Sequence, residues 1–120
     1  MFKKKTLVIV MLAIAIILMA SIVELISAKE NEYYRKQEKL MRIAAINYFE
    51  NNPYYLPNEN DETTEVVLSS LVNEKYIEKI VDINNNECDF TRSKVIVKKK
   101  NKNTYIYSSY IVCPKYQTKK

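Results

Sequence analysis

The sequence predicts an α+β fold in which a long N-terminal helix, apolar first and amphipathic later, packs on a small C-terminal antiparallel sheet. Three observations predict it. Leu7 to Ala28 is apolar apart from Ser21, Glu24 and Ser27. Residues 29–52 hold no Pro or Gly and are rich in the helix formers Glu, Lys, Gln, Leu and Ala. Near the C-terminus, "SKVIVK" and "TYIYSSYIVC" are β-branched and aromatic runs separated by a polar turn, Lys99 to Asn103. With 120 residues there is room for one small head domain beside the apolar segment.

The first element is long enough to cross a hydrocarbon core ~30 Å thick as a helix, and Lys3, Lys4 and Lys5 precede it. With Lys5 at the inner interface and a rise of ~1.5 Å per residue, Glu24 lies ~28 Å further on. That is the outer edge of the core, where a carboxylate reaches the headgroups. The expected organisation is a cytoplasmic tail at residues 1–5, a transmembrane helix at 6–28 and an extracytoplasmic stalk helix and head at 29–120. Basic residues flank both ends of the span, so orientation rests on the short basic tail ahead of a long downstream domain. It gives a single-pass protein of the cell membrane, N-terminus inside and head outside. Cleavage after Ala28, releasing a secreted ligand-binding domain, is the alternative.

The second element should stop at Asn52, because Pro53 disfavours a helical conformation in the residue before it. Lys29 to Lys39 is polar apart from Tyr33 and Tyr34 and reads as a solvated stalk, whereas Leu40 to Phe49 is apolar enough to be the spine of a core. "NPYYLPNENDETT", residues 52–64, is a loop. A short extended piece around Glu65 to Val67 leads into a second helix, with Ser69 or Ser70 as its cap and Leu71, Val72, Tyr76 and Ile77 facing inward. "DINNNECD" is the next turn, and the hairpin follows. With no glycine in the chain, Asn101 or Asn103 is expected to supply a positive φ there.

The missing His and Gly remove the commonest general base and the phosphate-cradling loops, and the serines have no histidine partner. No catalytic residue is assigned, and no enzyme activity, cofactor or metal is expected. Cys88 and Cys113 are too few and too far apart for a zinc site. Paired as a disulfide, they would tie the hairpin's last strand to the segment before its first, contributing about 3.5 kcal/mol by loop-closure entropy. Such a bond persists only in an oxidising compartment, which again places the head outside. Asp82, Asn84 and Asn86 alternate like the start of a calcium loop, as do Asn58, Asn60 and Glu62, but both lack the glycine and the distal glutamate and read as solvated turns.

Charge is segregated along the chain. Residues 43–89 hold ten acids against Lys75 and Lys79, and residues 90–120 hold nine bases and no acid. The two halves either neutralise each other within the fold or leave a basic hairpin for a partner. The candidate interaction surface is Lys98, Lys99, Lys100, Lys102, Tyr105 and Tyr107. Expected partners are membrane lipid through residues 6–28 and a protein partner or a second copy; no specific nucleic acid is predicted.

The order of parts, with "AAINYFENNPYYLP", "LSSLVNEKYIEKI" and "YIYSSYIVCPKY" standing where a helix end, a second helical segment and a closing strand would be, resembles the type IV pilins and the pseudopilins of type II secretion. The resemblance implies a pilin-like head and, as an alternative function, a subunit of a secretion or filament system. The chain departs from the family at the prepilin peptidase motif. It has no glycine to precede the cleaved bond, and Glu24 follows the apolar run instead of opening it. The reading that results is a non-catalytic structural or protein-interaction module, anchored in the membrane.

Overall fold

The computed structural model describes residues 30–119. The expected tail and membrane span lie outside them, and among the described residues no helix is long and apolar enough to cross a membrane. The chain divides into two units between Tyr33 and Tyr34. Only residues 30–33 of the first are described, and they are helical. The second unit is an α+β domain with a small antiparallel sheet.

Helix α1 covers residues 30–51. Tyr34, Met41, Ala45 and Phe49 are buried at the seven- and four-residue spacings that keep to one helical face, with Ala44 buried beside them. The helix ends as Pro53 requires. Asn52 leaves the helical region (φ −136°, ψ 60°) and its Nδ2 donates to the Tyr48 carbonyl at 2.8 Å, satisfying one of the last orphan acceptors. A single 3-10 turn, Pro53–Tyr55, follows.

The core begins earlier in α1 than the polar composition of residues 29–39 suggests. Tyr34 is buried, and Glu38 is engaged from the C-terminal strands, so this stretch is not purely a solvated stalk. Conversely, Leu40, Ile43 and Ile46 are exposed, because 100° per residue turns them away from the face that Met41 and Ala45 bury.

Strand β1 (Thr63–Val67), strand β2 (Lys94–Asn101) and strand β3 (Thr104–Tyr110) form a three-stranded antiparallel sheet in the order β1-β2-β3. The extended piece before the second helix is therefore a full sheet member, paired Val66 to Val95 and Glu65 to Ile96. Period-two alternation puts Val66, Val95, Val97, Tyr107 and Ser109 on the inner face, and Glu65, Lys94, Ile96, Ile106 and Ser108 on the outer one. Helix α1 covers the inner face. Ser109 Oγ donates to the Glu38 carbonyl at 2.7 Å, and the Phe49 and Tyr107 rings lie 6.4 Å apart.

Helix α2 (Leu68–Asn73) starts directly from β1. Its cap position is Val67, with no side-chain cap, so neither Ser69 nor Ser70 fills the expected role. Burial of Leu68 and Leu71 one turn apart holds this short helix in place. It closes before Lys75, which is left-handed (φ 64°), leaving Tyr76 and Ile77 outside it and half-buried.

The other left-handed residues among those described are Asp61 (φ 67°) and Asn85 (φ 65°), whose short polar side chains tolerate that region. The β2–β3 hairpin does not use it. A register shift between Lys99 and Asn101 adjusts the strands, and Asn101 Oδ1 accepts from the Asn103 amide at 3.4 Å. After β3 the chain breaks at Ile111, fully buried, and a two-residue strand pair follows: β4 (Val112–Cys113) with β5 (Tyr116–Gln117).

Candidate functional site

Cys88 and Cys113 are bonded, and both are buried. The bond joins β4 to the segment that carries the Val81–Glu87 bridge. Hydrogen bonds from Cys88 N to Ile80 O (3.0 Å) and from Asp89 N to Val112 O (2.7 Å) run beside it. The acidic middle of the chain and its basic end are thus closed on each other covalently.

The six expected surface residues do not share one surface. Lys98 lies on the outer face, its Nζ 3.7 Å from Asp61 Oδ1, while Lys99 lies on the inner side and donates to the Asn58 carbonyl at 2.6 Å. Tyr105 is half-buried opposite Lys99, and Tyr107 is half-buried against Phe49. Burial, with Glu50 and Tyr105 nearby, raises the Tyr107 phenol above its ordinary value. Lys98 is exposed despite that pairing, and Lys100 and Lys102 stand exposed at and beside the hairpin tip.

Charge segregation is resolved partly within the fold. Lys94 meets Glu65 at 3.1 Å and Lys98 meets Asp61, so basic β2 neutralises acids on and beside β1. These exposed pairs contribute little stability individually. Above the outer face lies an open basin of about 750 Å³, with Val67, Ile96, Tyr110 and Val112 in its lining, the cations Arg92, Lys94 and Lys119 around them, and Glu65, paired with Lys94, as its carboxylate. Sequence reasoning did not assemble it, because its lining is drawn from β1, β2 and the C-terminal strands.

A second cluster was also missed. Glu38 Oε1 accepts from Tyr116 Oη at 2.7 Å and from Thr118 Oγ1 at 2.8 Å, and the Thr118 hydroxyl accepts the Ile111 amide at 3.0 Å. Burial raises the Tyr116 phenol, and its hydrogen bond to the Glu38 carboxylate raises it further. Nothing local marks Glu38, because its partners are far along the chain.

The calcium-like turn is built around its first carboxylate. Asp82, 2% exposed, accepts the amides of Asn84 and Asn86 on Oδ1 at 2.9 and 2.8 Å. That is the Asx-turn chemistry expected of a structural turn. Asp89 acts similarly, and the amides of Arg92 and Thr91 with the Thr91 hydroxyl hold its carboxyl below the usual carboxylate range. Among the described residues no three His, Cys, Asp or Glu side chains gather where they could hold a metal ion. The arrangement presents surfaces for contact: an uncharged strand edge, a basic tip and a basic-rimmed basin.

No family model, curated protein or solved structure matches this chain.

Proposed function

We propose that the chain is a single-pass membrane protein whose disulfide-closed head works outside the cytoplasm as a structural or protein-interaction module, without catalysis. The buried Cys88–Cys113 bond carries this reading, since a structural disulfide is stable only where the surroundings are oxidising. It follows an apolar run of membrane-spanning length that a short lysine-rich start would hold on the cytoplasmic side. A helix laid on a small antiparallel sheet with a C-terminal disulfide is also the arrangement implied by the pilin resemblance. In this reading lipid is contacted through residues 6–28, and the head recognises its partner by surface complementarity.

The test is the intact, non-reduced mass of the protein extracted from host membranes. The expected value is the full-length mass less two hydrogens. A mass lacking residues through Ala28 makes the protein a secreted head. A mass lacking only the first few residues makes it a processed filament or pseudopilus subunit. Two free thiols in the freshly quenched protein contradict the external placement.

A further inference from the structure

We propose that strand β3 is a self-association edge, pairing antiparallel with β3 of a second copy to make one continuous six-stranded sheet. The inference rests on the reading of the head as an interaction module and names its partner.

Strand β3 pairs with β2 on one side. Among the described residues, no hydrogen bond from another segment satisfies the backbone along its other side. An open row of amides and carbonyls is a template for another strand, and proteins that stay apart blunt such edges with charge, proline, bulges or short length. The opposite edge follows that rule. Strand β1 is five residues long and carries Glu65. Strand β3 does not, since its seven residues, TYIYSSY, include no charge, no proline and no glycine. Ile106 stands 44% exposed within it.

Charge selects both the occupant and the direction. An uncharged strand meets its own copy without opposing like charges. All seven residues overlap only when Tyr107 faces Tyr107, which sets Ile106 opposite Ser108 of the second copy and Tyr105 opposite Ser109. The basic hairpin tip, Lys100 and Lys102, flanks one end of the strand. Parallel pairing sets the two tips side by side. Antiparallel pairing sets the two Lys102 positions about ten residues apart along the sheet, ~34 Å at ~3.4 Å per residue, beyond a screening length of ~8 Å.

The experiment coexpresses two full-length chains in the host, one Ile106→Cys and the other Ser108→Cys, oxidises the membranes and resolves covalent dimers on a non-reducing gel. Each variant expressed alone is the reference. The mixed pair is expected to give about tenfold more dimer than either alone, because only 106 and 108 face each other across the axis. A Leu40→Glu change on the exposed ridge of α1 should leave that yield unaltered. Sedimentation of the purified chain without added cysteines is the second measurement, with Ile106→Lys expected to shift a dimer towards monomer at least tenfold in Kd. Equal dimer from mixed and single variants, no dimer at all, or loss through Leu40→Glu but not Ile106→Lys overturns the proposal. If crosslinking fails while the mass shows a full-length, bridged, membrane-held chain, the β3 edge falls and the module reading stands.

Discussion

The rings of Tyr34 and Tyr116 are stacked face to face, with centroids 3.9 Å apart and planes 1° from parallel. One ring comes from the first described turns of α1 and the other from β5, nearly the whole length of the head apart in sequence. The hydroxyl of Tyr34 also accepts the Ile83 amide at 3.5 Å, while that of Tyr116 donates to Glu38. The pair therefore fastens the first described part of the helix to the C-terminal strands. Tyr116→Phe keeps the stack and removes one charge-assisted hydrogen bond, so it should cost about 1.5 kcal/mol of unfolding free energy. Glu38→Ala frees both hydroxyls and should cost more, about 2 to 3 kcal/mol. Urea titration of the single variants measures both.

High pH should weaken the head. The phenols of Tyr48, Tyr107 and Tyr116 are all raised above their ordinary value of 10.0, burial being the first cause in each. A raised folded pKa means that the native state keeps its proton where the unfolded chain has lost it. The associated stability is complete below pH 10.0 and is lost as pH rises through the folded values. Thermal unfolding between pH 8 and pH 11.5 should show a flat Tm followed by a fall. Tyr116→Phe should make that fall shallower.

Reduction of Cys88–Cys113 should lower stability by about 3.5 kcal/mol, the loop-closure entropy for a sequence separation of 25. Against the ~5 kcal/mol expected of so small a head, the reduced form should sit near the edge of unfolding at 37 °C. The measurement is the urea midpoint with and without reductant, with the Cys88→Ala, Cys113→Ala double variant as a check on the reductant itself. An unchanged midpoint would make the bond incidental to the fold.

The hairpin strands, the Pro53 helix stop and the Cys88–Cys113 pairing were legible in the sequence because each rests on local chemistry: β-branched runs, a proline constraint, and two cysteines alone in the chain. Membership of β1 in the sheet was less so. "TTEVV" is short, and its partner β2 lies beyond α2 and the disulfide-bearing turn. The role of Glu38 was illegible for the same reason, its partners being Ser109, Tyr116 and Thr118. Lysine-rich composition suggested one basic surface, but the pleat sends Lys98 and Lys99 to opposite faces, and only register reveals that.

Apolar residues of α1 should divide sharply by face. Phe49, 1% exposed against Tyr107 and Tyr48, should cost about 3 to 5 kcal/mol when cut to alanine. Ile43, 45% exposed one turn and a half earlier, should cost less than about 1 kcal/mol. Paired urea titrations of Phe49→Ala and Ile43→Ala decide it. Comparable losses would mean that the exposed ridge of Leu40, Ile43 and Ile46 is covered in the protein in solution.

The two carboxylate oxygens of Asp82 have opposite fates. Oδ1 takes the amides of Asn84 and Asn86, while Oδ2 is buried with no hydrogen-bond partner among the described residues. Replacing Asp82 by alanine leaves both amides without their acceptor and should cost about 1 to 3 kcal/mol. Asp82→Asn keeps an oxygen for those amides but puts a buried NH2 where Oδ2 stood, so it too should cost about 1 to 3 kcal/mol while leaving the turn's own hydrogen bonds in place. Hydrogen exchange locates the effect: the amides of Asn84 and Asn86 should lose protection in the alanine variant and keep it in the asparagine variant. Equal losses of protection in both would mean that the negative charge, rather than acceptor geometry, holds the turn.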